Sequence, residues 1–349
     1  MRKKILALLL ASLMLTAFLA ACVGAGEGTA APPTAPAENV GQVFNMRLNH
    51  GGSEATLIHQ AVEHFAMQAY ELSDGQLNIE IFPNAALGPE ATTIEAVQTG
   101  DIEFTPVNTG ALVSFVPEFG IWAVPFAFPD LQTAYNVLDG EFGQRMSGLL
   151  ESQGFIGLGY VNSMDFRQTT SNNPIHSLDD LQGMRIRVLD NPIQIAIWQA
   201  LGTAPTPIPF AELYTALQQG TVDGMENPLE MIVAMRFYEV QSNIALTNHL
   251  FQTGQLLMSA RVFNELPSDL QEVIRESARR AVDYQRVRAA ELEDELISHL
   301  EAAGVEVTHL DEAEMERFRE SAQEAVDFIR GQVGSDLVDD LFAAIDAAR

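Results

Sequence analysis

Short apolar runs alternate along this chain with amphipathic stretches, and that alternation limits the folds open to it. Residues 77–82, 102–107, 155–161, 184–188 and 222–225 read as short strands, and a first strand closes at Arg47–Leu48. Between them lie segments of helical periodicity. Leu57, Ile58, Ala61, Val62, Phe65, Ala66 and Ala69 fall on one helix face, Gly75 ends that segment, and shorter helices are expected over 94–98, 193–201 and 212–218. Strand and helix in turn predict an α/β fold. From Pro267 onward the pattern is helical. Leu270, Val273, Ile274, Ala278 and Ala281 form one stripe, a long charged helix runs to about residue 300, Gly304–Val307 breaks it with a short strand, and acidic helices follow.

About 305 residues follow the first 43, more than one core ordinarily holds, so two domains are expected. An internal echo points the same way. Ile94–Glu103 and Tyr214–Asp223 each read as a helix end, a glycine (Gly100, Gly220) and a strand start, and each strand leads to an asparagine, Asn108 or Asn227. Glycine suits the left-handed position that closes a helix. A generic helix–glycine–strand join would look similar. Two like domains would turn their strand ends toward one cleft, where ligands of open α/β sheets bind.

The N-terminus carries a second message. Arg2, Lys3 and Lys4 precede an apolar run over 5–19, too short for a comfortable membrane span and placed like a signal peptide. The run ends Leu19-Ala20-Ala21-Cys22, which resembles the lipobox of bacterial lipoproteins. That resemblance implies removal of residues 1–21 and lipidation of Cys22, the single cysteine. A lone cysteine also excludes an internal disulfide framework. Residues 22–43, rich in Gly, Ala, Pro and Thr without periodicity, read as a tether. Formal charge is −28, and the only lysines are Lys3 and Lys4, so nucleic acid is a poor partner. An anion can bind only where a few arginines outweigh the surrounding acids.

No GxSxG, HExxH, CxxC or P-loop pattern occurs. The seven histidines lack metal-ligand spacing, and core or surface roles are expected for them. No catalytic residue, cofactor or metal is therefore assigned.

The block Gly183-Met184-Arg185-Ile186-Arg187-Val188, through Pro205-Thr206-Pro207-Ile208-Pro209-Phe210 and Tyr214–Gly220 to Glu226-Asn227-Pro228, resembles the solute-binding subunits of tripartite ATP-independent periplasmic (TRAP) transporters, dicarboxylate-binding type. Pro83 with Leu87-Gly88, Pro117-Glu118-Phe119-Gly120, Thr247-Asn248-His249 and the tail from Leu266-Pro267 extend the likeness over the chain after the tether. The resemblance implies a two-domain periplasmic binding protein fold of type II. The domains would comprise 44–162 with about 250–285, and 163–249 with about 286–349, braced by a long C-terminal hinge helix. It further implies that Arg187 clamps a ligand carboxylate. Alternation along the strand puts Arg185 and Arg187 on one face and does not choose between them. Arg167 is implied as a second basic contact, Asn227 as a hydrogen-bonding amide and Phe210 as a packing aromatic. Asn49, His50, Glu90 and Asn108 are the candidates from the first domain. Met225 stands where the resembled proteins commonly carry a polar residue. The expected function is capture of a small organic carboxylate outside the cytoplasmic membrane and its delivery to integral membrane permease subunits. A ligand sensor for a signalling partner is the alternative, and a secreted hydrolase or lyase a more distant one.

Overall fold

The computed structural model describes residues 41–161 and 165–349. The leader and Cys22 lie outside them. The elements follow the order β1 (Phe44–Asn49), α1 (Leu57–Leu72), β2 (Leu77–Phe82), α2 (Glu90–Thr99), β3 (Phe104–Asn108), α3 (Leu131–Asp139), α4 (Glu141–Gly148), β4 (Phe155–Val161), β5 (Arg167–Ser171), β6 (Arg185–Val188), α5 (Pro192–Ala200), β7 (Ala204–Pro207), α6 (Leu213–Gln218), β8 (Gly224–Pro228), α7 (Leu229–Ala234), β9 (Asn243–Leu246), β10 (Gly254–Ser259), α8 (Ala260–Glu265), α9 (Ser268–Ala302), β11 (Glu306–His309), α10 (Glu312–Val333) and α11 (Ser335–Ala348).

The strands form two sheets, β2-β1-β3-β10-β4 and β11-β9-β5-β8-β6-β7. The chain passes between them three times, through loops from β4 into β5 and from β9 back into β10, and along α9 from β10 into β11. The two loop passages run side by side. Phe166 and Phe251 form an antiparallel bridge, the Arg167 N–H donates to Leu250 O at 2.8 Å, and the Gln252 N–H donates to Asp165 O at 2.7 Å. The helix α9, 35 residues long and so about 52 Å, packs on α1 and β4 near its start and on α7 and β11 farther along. The helix α10 lies against α5 and the turn at 117–123, while α11 packs on α3 and α4. One apolar core runs from Val107 and Trp122 through Ile186, Ile193 and Trp198 to Phe318 and Ile329 of α10, joining both halves.

Both echoed glycines adopt the left-handed conformation, Gly100 at φ 79° and Gly220 at φ 67°. They end α2 and the helical turn before β8, and the strands that follow, β3 and β8, lie in different sheets. Gly224 meets a separate demand. A Cβ there would sit 2.2 Å from Thr170 O on the neighbouring strand β5. Gly224→Ala is expected to push β5 from β8 and cost about 1–3 kcal/mol, measurable as a lowered urea midpoint.

His50 and His59 fasten β1 to α1 through an Nε2···Nδ1 contact of 3.0 Å. Burial and the neighbouring His59 lower the His50 pKa from 6.5 to about 4. Above pH 6.5 both the folded and unfolded chains keep this imidazole neutral, so it adds no pH dependence there. Below it the unfolded chain takes up a proton that the fold refuses, and stability falls by about 3 kcal/mol in total as the pH drops to about 4. The slope of unfolding free energy against pH over this window should flatten in His50→Gln. An unchanged slope in denaturant titrations would remove His50 as its source.

Candidate functional site

The end of β8 and the two loop passages between the sheets converge on one set of buried polar side chains. Arg167, at the start of β5, is 3 % exposed and Glu226, in β8, is 1 % exposed. The Arg167 Nε donates to Glu226 Oε2, and Nη2 donates to Glu226 Oε1 at 2.8 Å, to Glu226 O at 2.6 Å and to Asn227 Oδ1 at 3.1 Å. Nη1 donates to Gln252 Oε1 on the second passage. His249, also on that passage, places Nε2 3.2 Å from Glu226 Oε2 and Nδ1 2.8 Å from Thr247 Oγ1. Its ring meets Trp198 edge-on at 5.0 Å. Burial pushes the Glu226 carboxyl up, but Arg167 and His249 outweigh it and hold the pKa near 2. Burial lowers the His249 pKa against the pull of Glu226. The ring is therefore neutral, Nε2–H donates to the carboxylate and Nδ1 accepts from Thr247.

Arg187, two residues after Arg185 in β6, meets a different environment. Arg185 stays at the surface, where Nε donates to Asp223 Oδ2 at 3.0 Å and Nη1 to Thr221 O at 3.1 Å. Arg187 is 1 % exposed. Its Nε donates to Ile208 O at 2.8 Å and its guanidinium carbon lies 5.9 Å from the centre of the Phe210 ring. Its Nη2 is buried without any partner. Burial lowers the Arg187 pKa to about 10, with Glu226 and Glu90 opposing the fall, so it remains charged at neutral pH. The structure thus separates two arginines that strand alternation leaves equivalent.

From the first sheet's side come Glu90, at the start of α2, and Asn108, at the end of β3. Glu90 Oε1 accepts the Asn108 N–H at 2.9 Å, and Asn108 Oδ1 accepts the Gly110 N–H at 2.7 Å. Burial raises the Glu90 pKa, partly offset by that N–H and by Arg187. Further bonds join the first-sheet side to the second. Asn191 Nδ2 donates to Gly110 O at 3.0 Å, the Leu57 N–H at the start of α1 donates to Glu230 Oε1 at 2.6 Å, and Ser53 Oγ donates to Ala234 O at 3.4 Å.

The remaining two candidates serve their own loops. The Asn49 amide donates to Gly88 O and Thr93 Oγ1 and accepts the Leu87 N–H, and His50 faces His59. Asn227, 4 % exposed, lies beside Arg167, and its Nδ2 contacts Met225 Sδ at 3.4 Å, so the methionine positions that amide. Sequence reasoning left Glu226 and His249 out of the site. Their signals were the unbroken run Glu226-Asn227-Pro228 and a histidine in Thr247-Asn248-His249, both quoted only for their likeness. Among the described residues no three His, Cys, Asp or Glu side chains gather as a metal site, and no helix is long and apolar enough to cross a membrane. A charged donor held dry beside an aromatic ring, with one nitrogen unpartnered, suits an anion.

The model of the bacterial extracellular solute-binding protein family 7 matches residues 48–332. A solute-binding protein of Verminephrobacter eiseniae is 35 % identical over 273 residues, 78 % of this chain and 81 % of that protein. The 2,3-diketo-L-gulonate-binding periplasmic protein YiaO of Escherichia coli is 31 % identical over 268 residues, 76 % of this chain and 82 % of its own. The crystal structure of the sugar acid binding protein DctPAm from Advenella mimigardefordensis, in complex with galactonate, superposes with a TM-score of 0.86 at 33 % identity, covering 88 % of this chain and 99 % of that one. The two sheets, the paired passages between them and the long helix α9 match that two-domain architecture, and the chain belongs to family 7 of the bacterial extracellular solute-binding proteins, the binding subunits of TRAP transporters rather than enzymes.

Proposed function

We propose that this protein captures a small organic carboxylate in the cleft between its domains and hands it to membrane permease subunits driven by an ion gradient. The observation that carries this reading is the Arg187 Nη2, a charged donor 1 % exposed as part of its residue and left without a partner. Leaving a buried donor unpaired costs about 1–3 kcal/mol. A carboxylate relieves it with two parallel, charge-assisted bonds. In this reading Arg187 is the clamp, Phe210 packs against the ligand and the Asn227 amide, steadied by Arg167, lies alongside. Glu90 and Asn108 form the facing wall, and Asn49 and His50 shape the loop behind it. Ligands of two relatives, 2,3-diketo-L-gulonate and galactonate, are carboxylates, which supports this reading. Closure would turn about the crossings near residues 162 and 250, between 44–162 with about 250–285 and 163–249 with about 286–349. The protein would work outside the cytoplasmic membrane, held there by lipid on Cys22.

Removing one partner of a buried charged pair costs about 2–5 kcal/mol. Arg187→Ala is therefore expected to weaken binding by roughly thirty-fold to several thousand-fold. Arg187→Lys keeps the charge without the planar fork and should also bind poorly. Arg185→Ala, altered at the surface pair with Asp223, should bind nearly as wild type. Calorimetric titration of the three with the acid giving the largest thermal shift tests this, and binding by Arg187→Ala within about threefold of wild type rules out the clamp. For the anchor, Cys22→Ser is expected to leave the precursor uncut or release the protein from membranes. Recovery of the same mature species in the membrane fraction would exclude lipid attachment at this residue.

A further inference from the structure

The first sheet's half carries an apolar surface that the candidate site does not use. Six large hydrophobic side chains stand exposed among the described residues, and four of them, Val43, Met67, Tyr70 and Leu72, belong to the entry of β1 and the second half of α1. The Phe44 N–H donates to Gln76 O at 2.7 Å, which seats Val43 beside the turn that follows α1. Tyr70 lies over the same turn, since a Cβ on Gly75 would sit 3.4 Å from its ring. Met67, one helical turn earlier, shares a surface groove with Ile81 of β2 and Tyr284 of α9. The exposed Val287 follows Tyr284 by three residues. Continuous apolar surface of this kind marks a contact with protein or membrane.

Two features select the membrane. One is the path of the chain. Twenty residues rich in Gly, Ala and Pro separate Cys22, the proposed lipid anchor, from Val43, and a flexible tether of that length spans about 25 Å. It keeps Val43 and its neighbours at an effective millimolar concentration against the bilayer, so a face too weakly apolar to bind from solution can rest there. The other feature is charge. The chain carries −28 overall, and residues 306–349, which hold β11, α10 and α11, set four arginines against twelve acids. Residues 260–290, in α8 and the first part of α9, hold six arginines against five acids. Arg280 of that stretch reaches α1 beside Met67, where Nη1 donates to Gln68 Oε1 at 2.6 Å. The exposed acids of this end, Glu63, Glu71 and Asp74, therefore lie near compensating arginines. Anionic headgroups repel this face far less than the acidic C-terminal one.

We infer that the face formed by Val43, Met67 and Tyr70 rests on the lipid surface to which Cys22 anchors the chain, with the Tyr70 ring at headgroup level. This rests on the lipid-anchor reading and goes beyond it by fixing which side of the molecule meets the membrane. Tyrosine suits the position because its apolar ring and polar tip match the interface. β1 begins at this face and runs to Asn49, and β3, parallel to it, ends at Asn108. The strand ends that carry candidate site residues are thus turned away from the lipid.

The single cysteine allows a direct test. The mature chain from Cys22 is coupled through its thiol to a maleimide lipid in vesicles of three parts phosphatidylethanolamine to one part phosphatidylglycerol, with bromine on the acyl chains. Tyr70→Trp is compared with Phe328→Trp, an exposed position on the acidic α10. The native Trp122 and Trp198 are buried and supply the background. Bromine is expected to quench the added emission at least about threefold more in Tyr70→Trp, whose ring enters the headgroup boundary. Adding Met67→Glu to Tyr70→Trp should remove most of that difference. Equal quenching at the two positions, or none at either, overturns the inference. A blue-shifted emission at residue 70 that bromine does not quench also overturns it, because a second copy or another protein then covers the face. Each of these outcomes leaves the anchor standing, since the coupling is made chemically. The anchor itself falls only with the Cys22→Ser fractionation.

Discussion

A carboxylate buried to 1 % exposure persists in a protein only if its charge is met, and Glu226 is met by Arg167. Much of the functional geometry depends on that pair. Arg167 begins the strand that enters the second sheet, His249 and Gln252 belong to the passage that leaves it, and Glu226 lies near the end of β8 between them. The ion pair thus ties both crossings to one strand end. It also orients Asn227, whose Oδ1 accepts from the same guanidinium. Removing either partner would strand the other charge in a dry interior, at a cost of about 3–5 kcal/mol.

The two buried arginines show how neighbouring charges divide labour. Arg167 has an acid in direct contact and becomes structural. Arg187 has acids close enough to stabilise its charge but none close enough to occupy Nη2. An arginine tolerates this better than lysine because its guanidinium is weakly hydrated and rigid. Its Nε is held by Ile208 O and its guanidinium lies near Phe210, so little freedom remains to that side chain.

The α/β alternation, the helical C-terminal quarter and the paired glycine joins were legible in the chain because they follow apolar periodicity and backbone stereochemistry. The strand β5 was not legible. Arg167-Gln168-Thr169-Thr170-Ser171 contains no apolar residue, yet all five are buried. Its hydroxyls and amide are answered by Thr247, Gln241 and Asn248, partners about 70 to 80 residues away that no local pattern reveals. The strand β7, Ala204-Pro205-Thr206-Pro207, hides its character behind two prolines, which an edge strand tolerates. For the same reason the burial of Arg187 and the surface pairing of Arg185 with Asp223 could not be read from alternation. The choice depends on what the second sheet brings alongside.

The bonds that cross between the halves at Leu57–Glu230 and Gly110–Asn191 each involve a main-chain group, and none of these four residues is a bonding partner of Arg187. They favour the drawn-together arrangement whatever solute is inside. A contribution of that kind multiplies the apparent affinity for every ligand by one common factor, through the share of molecules already poised to bind. Tightness and choosiness are therefore set by separate residues in this protein. Substitutions at the crossing bonds would retune how long any cargo is held, and hence how readily it is surrendered, without changing which cargo is preferred.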